Sequence, residues 1–223
     1  MKIDIARQPL VPAFMTLFAL AVAAMCAGIP VSDTSGAVRD ALPLLGGQLA
    51  RFQAAYPVWS KFAAGFMLLF TGMCAGRITI RYNLYTVGTC LPIPLYAIVA
   101  CGIATGGNYL AGFAASMLLA LATKNYCRAF CNGYGFDAIF RASLYLGLMP
   151  LIYAPALPLL LLLPLAVLLF RRTFREVVVA TAGLLLPIFT ACYVSWGSGA
   201  EFTAPLVTVG QSAIEGMPLQ LFL

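Results

Sequence analysis

The sequence contains no histidine, and only 9% of its 223 residues are charged. The first absence removes the commonest general base and the commonest metal ligand together. The second excludes an ordinary soluble domain, in which roughly a quarter of residues carry charge. Carboxylates are scarcer than basic residues, with seven Asp and Glu against 13 Lys and Arg. No Walker A or glycine-rich dinucleotide fingerprint is present, which argues against a nucleotide-driven pump. Haem attachment and ligation also lack their residues, since there is neither a C-x-x-C-H motif nor an axial histidine. No apolar run holds a carboxylate or lysine near its middle, where ion and proton pathways need one.

What is there is apolar. Hydrophobic residues make up 62% of the chain, and the mean hydropathy is +0.96. Several continuous runs exceed the roughly 18–20 residues that span a bilayer, and their continuity excludes the period-two alternation of a transmembrane barrel. The expected fold is all-α: a polytopic transmembrane helical bundle of about seven membrane segments, forming a single domain over residues 1–223. The net charge of +6 is spread over the ends of the runs, so it reads as topology and not as a nucleic-acid patch.

A short basic start precedes the first run, Pro9–Val31, which outlasts a signal-peptide core of roughly 7–15 residues. It reads as a retained span with signal-anchor character. An extracytoplasmic loop over residues 32–56 follows, with an amphipathic stretch from Gly46 placed in the interface and Tyr56 and Trp59 as headgroup-level anchors. The second span is Pro57–Gly76, and the third is Leu84–Thr105, bent by Pro92 and Pro94. The fourth is short, from Tyr109 to Thr123, and gives way at Lys124 to a polar and aromatic insertion reaching Ser143. The last span is Val177–Trp196, and residues 197–223 form an extracytoplasmic tail resting on the membrane surface or a partner.

The decisive segment lies between Arg141 and Arg171, 29 residues without a charge. One helix of that length would reach about 43 Å against a hydrocarbon core of about 30 Å. Pro155 and Pro158 interrupt its middle, so residues 142–170 read as a hairpin of two short helices. Charge agrees. With the N-terminus inside and the segment doubling back, ten basic residues lie inside and only Arg39, Arg51 and Lys61 outside. A single crossing would move Arg171, Arg172 and Arg175 outward and erase the bias. The expected location is a bacterial inner membrane, N-terminus cytoplasmic and C-terminus periplasmic.

Three stretches, RITIRYNLYTVGTCLPIPLYAI, FDAIFRASLYLGLMPLIYAPALPLLLLLPLAVLLFRR and FREVVVATAGLLLPIFTACY, carry a resemblance. Together they resemble a family of uncharacterised multi-pass inner-membrane proteins of Bacteroidota, defined by a domain of unknown function. The resemblance covers roughly Pro57–Trp196 and implies a location more than a reaction. The paired short helices joined at a kink also look like membrane glycosyltransferases that use polyprenyl-phosphate sugars. Such enzymes place a catalytic carboxylate in the first extracytoplasmic loop, where this chain has Asp33 and Asp40.

Each candidate residue has a chemical reading and a plainer one. Asp33 and Asp40 could act as a general base or hold a metal–phosphate headgroup; as loop residues they serve equally as helix caps. Arg77, Arg81 and Asn83, with Arg171, Arg172 and Arg175, could grip a lipid phosphate through bidentate forks, or simply anchor the helices against anionic headgroups. Cys127 and Cys131 stand four apart but lack the partners of a zinc site, so no metal and no cofactor is expected. Small residues Gly65, Gly72, Ala75, Gly112, Ala115 and Ser116 point to close helix packing, most of all in the fourth span. The expected role is a non-catalytic accessory or structural subunit of envelope biogenesis or secretion. Its expected partners are the bilayer, its anionic lipids and other membrane subunits, not nucleic acid. The alternative is a small enzyme or carrier acting on polyprenyl-phosphate-linked sugars or phospholipids.

Overall fold

A computed structural model describes residues 10–26, 44–82, 90–104, 108–131, 135–162 and 173–215. Among them every regular element is helical. In chain order these are α1 (Leu10–Cys26), α2 (Leu44–Ala55), α3 (Pro57–Arg81), α4 (Pro92–Ala104), α5 (Tyr109–Cys131), α6 (Phe136–Ile152), a 3-10 helix (Ala154–Leu161), α7 (Phe174–Gly197) and α8 (Ala204–Glu215). The chain divides into two compact units, Met1–Asp33 with Arg51–Ala120, and Thr34–Ala50 with Leu121–Leu223.

In the first unit α1 and α4 both pack on α3. Small residues let them approach. Gly72 lies under Leu17 and Gly65 under Met25, so α1 runs antiparallel to α3; Gly76 lies under Ile93 of α4. Leu17, Leu68, Ile93 and Phe113 form the fully buried centre. The helix starts follow proline chemistry. Pro57 opens α3, where its missing N–H costs nothing. Pro92 likewise opens α4 instead of bending a longer span, and Pro94 sits in the same first turn.

Two helices outrun the expected spans. α3 continues beyond Gly76 through Arg77–Arg81, 25 residues in all. α5 runs 23 residues to Cys131, so the start of the segment read as a polar insertion, Lys124–Cys131, is helical. Lys124, Asn125 and Arg128 are polar without being helix breakers, and the Asn125 amide returns a bond to the Leu121 carbonyl at 2.9 Å.

The second unit is built on α6 and α7. Gly183 meets the Phe140 carbonyl and Ser143, and Gly147 meets the backbone of Leu184, so side chains give way to backbone contact at the crossing. In the same unit α8 follows α7 and packs on the 3-10 helix that follows α6.

The break that ends α6 is local. Pro155 has no N–H for the Leu151 carbonyl and Pro158 none for Ala154, so α6 ends at Ile152. Tyr153 turns extended, at φ −138° and ψ 96°, and the 3-10 helix follows. A single straight helix over 142–170 is therefore ruled out, although residues 163–172, most of the expected return leg, lie outside the described residues. As far as Glu215 the tail is a turn and a helix. Gly199, at φ 86°, reverses the chain, the Ser195 hydroxyl donates to the Glu201 carbonyl at 3.3 Å, and α8 buries Val209 and Ala213.

Candidate functional site

The outer face of α3 is the strongest concentration of the residues singled out from sequence. At 100° per residue, Trp59, Phe62, Phe66, Phe70, Met73, Arg77 and Arg81 fall within one third of the helix circumference. All seven are exposed, Trp59 at 69% and Phe66 at 67%. Their rings pair along the axis, Trp59 with Phe62 and Phe66 with Phe70, each at 6.4 Å between centroids. The opposite face holds the residues that must pack closely: Ser60, Ala64, Leu68, Thr71 and Thr79 are buried.

Arg77 and Arg81 are one helical turn apart, in the last two turns of α3. Among the described residues no carboxylate lies within ion-pair reach of either. The ion pair that is seen joins Arg141 to Asp137 at 3.0 Å, on an exposed part of α6. Two guanidinium groups thus end an apolar stripe about 27 Å long, counted from Trp59 to Arg77 at 1.5 Å per residue.

The outer face of α7 has the same composition in reverse chain order. Arg175 is exposed in its first turn; Val178, Leu185, Leu186 and Phe189 follow; Tyr193 and Trp196 close it, with ring centroids 6.0 Å apart. Both helices, Pro57–Arg81 and Phe174–Gly197, are long and apolar enough to cross a membrane. Asp33, Asp40, Asn83, Arg171 and Arg172 lie outside the described residues.

No family model, curated protein or solved structure matches this chain. Its chemistry has to be read from its own residues.

Inside the helices the polar atoms are already engaged. Ser60 donates to the Pro57 carbonyl at 2.8 Å, so the Tyr109 hydroxyl, 2.6 Å away, must be the donor to Ser60. Gln53 accepts from the Leu110 N–H at 3.4 Å. Ser116 likewise spends its proton on the Phe113 carbonyl, leaving Tyr96 to donate to Ser116 at 3.2 Å. In the second unit the Tyr126 and Ser143 hydroxyls pair at 3.3 Å. Tyr126 lies past Lys124, beyond the apolar part of α5. Burial pushes its phenol above the ordinary value while the Ser143 bond pulls the other way, so it stays neutral at physiological pH.

Glu176 is the functional-looking residue that sequence reading passed over. Its side chain is 2% exposed, yet it sits in the first turn of α7, where its carboxylate accepts the Thr173 N–H at 3.3 Å. The signal was legible as TFRE, the T-x-x-E pattern of a capping box. Among the described residues no group of three or more Cys, Asp or Glu side chains is placed to hold a metal ion. Cys127 is half-buried in α5, and the Cys131 side chain lies outside the described set.

Proposed function

We propose that the chain is an integral inner-membrane protein that acts as a non-catalytic accessory subunit, packing against other membrane proteins and against lipid. The observation that carries this reading is the outer face of each long helix: apolar from end to end, arginine at one end, tryptophan at the other. Tryptophan and arginine are the residues that settle at membrane–water boundaries, and the stripe lengths, about 27 Å on α3 and about 31 Å on α7, match a hydrocarbon core of about 30 Å. The positive-inside rule then puts the Arg81 end of α3 and the Arg175 end of α7 in the cytoplasm. The doubled-back segment between α6 and α7 follows from the same rule, since it keeps Arg141 and Arg175 on the cytoplasmic side.

The accessory role is supported by the use made of interior polarity. The buried polar side chains Gln53, Ser60, Thr71, Thr79, Ser143, Glu176 and Ser195 are all engaged in hydrogen bonds to backbone or neighbouring side chains. Three of them, Gln53 with Leu110, Ser60 with Tyr109 and Ser143 with Tyr126, join one helix to another, as polar side chains do in membrane bundles. The test is affinity purification from membranes in mild detergent after an alkaline carbonate wash. Retention through the wash with a stoichiometric membrane partner is expected. Release by carbonate would end the membrane reading. Loss of growth at normal abundance in Asp33→Ala or Asp40→Ala would favour the enzyme instead.

A further inference from the structure

We infer that the arginine end of the α3 stripe is a seat for one anionic phospholipid, its phosphate held between Arg77 and Arg81 and its acyl chain laid along Met73, Phe70 and Phe66. This deepens the membrane reading and depends on it.

Three observations on α3 converge. First, Arg77 and Arg81 lie one turn apart on the exposed face, so two planar guanidinium forks can address the oxygens of one phosphate. Second, their charge is unanswered among the described residues, where the visible ion pair belongs to Arg141 and Asp137. The helix end does not neutralise them: its carbonyls carry partial negative charge that steadies both cations in place but repels an anion brought close to the axis. A phosphate is therefore expected out at the guanidinium tips. Third, the stripe continues without interruption into apolar side chains. The stacked pair Phe66–Phe70 and the half-exposed Met73 lie immediately below the arginines on the same arc.

That continuity selects the ligand. A free phosphate or nucleotide would use the two arginines and leave the aromatic stripe untouched. A phospholipid uses both. Net charge narrows it further, because a zwitterionic headgroup brings its own ammonium to a site already carrying two cations. Phosphatidylglycerol and related anionic lipids bring none. The source is accordingly a bilayer lipid with a net negative headgroup.

Native mass spectrometry of the protein purified in mild detergent with equal phosphatidylglycerol and phosphatidylcholine reads the occupancy directly. The unsubstituted chain is expected to retain phosphatidylglycerol preferentially. R77Q/R81Q should lower that retention about tenfold or more. R77K/R81K keeps charge but loses the forks and should fall between the two. R51Q/R128Q removes two exposed charges elsewhere and should match the unsubstituted chain. Equal retention of both lipids would overturn the assignment. So would undiminished phosphatidylglycerol in R77Q/R81Q at unchanged melting temperature, or an equal loss in R51Q/R128Q. Displacement of the bound lipid by inorganic phosphate would show that the headgroup alone is recognised, and would overturn the acyl part. A chain that fails the carbonate wash fails the membrane reading before lipid is tested, so the two failures are separate.

Discussion

At the scale of single residues, the molecule turns on where a methyl group fits. A Cβ at Gly147 would fall on the backbone of Leu184, which has no side-chain freedom with which to yield. Gly65 and Gly72 face the ends of Met25 and Leu17, which can rotate away. Gly147→Ala is therefore expected to destabilise the second unit by about 1–3 kcal/mol, the usual cost of overpacking. Gly210→Ala makes the contrasting case: nothing lies within 4 Å of its new Cβ, and helix propensity should add about 0.5–1 kcal/mol. Melting temperatures in detergent check both, the first falling and the second holding or rising. Equal behaviour of the two variants would mean that α6 and α7 do not meet at Gly147.

At the scale of elements, the ends of helices carry the information. Proline opens α3 and α4, where the missing N–H is harmless, and the Pro155–Pro158 pair closes α6, while single prolines, Pro150 and Pro187, are carried inside α6 and α7. The start of α7 uses a different device, the Glu176 carboxylate on the Thr173 N–H. Glu176→Ala leaves that donor unanswered and should cost about 0.5–2 kcal/mol, the range for a lost cap. Glu176→Gln keeps an acceptor but gives up the charge that complements the helix dipole, so a smaller loss is expected. Thermal unfolding of the two variants side by side distinguishes a capping carboxylate from one that merely fills space, for which both would be equally destabilised.

At the scale of the whole molecule, the expected outcome concerns sidedness. If α6 and α7 both leave the cytoplasmic side, Thr173 lies inside and Ser198 outside. Thr173→Cys should resist a membrane-impermeant maleimide in intact spheroplasts and react after lysis. Ser198→Cys should react in both, with the unsubstituted chain as the blank for native thiols. Labelling of position 173 in intact spheroplasts would reverse the orientation of α7 and remove the doubled-back segment with it.

The amino-acid sequence alone determined the helical class, since runs this apolar and this long leave the backbone no other way to satisfy its hydrogen bonds in lipid. It also determined the break at Pro155 and Pro158 and the arginines at the ends of the long helices, because proline geometry and boundary charge act locally. It did not show that α3 and α5 run on as helix past Gly76 and Thr123, because polarity was taken as the end of a helix. Arg77–Arg81 and Lys124–Cys131 are polar yet helical. Only the tertiary structure decided that Gly147 meets Leu184 and Gly183 meets Phe140 in the second unit. The same holds for the burial of Glu176 and for the exposure of the one arc shared by Arg77, Arg81 and four aromatic side chains. A glycine in the sequence shows that approach is allowed; which backbone comes to meet it depends on the packing of another helix.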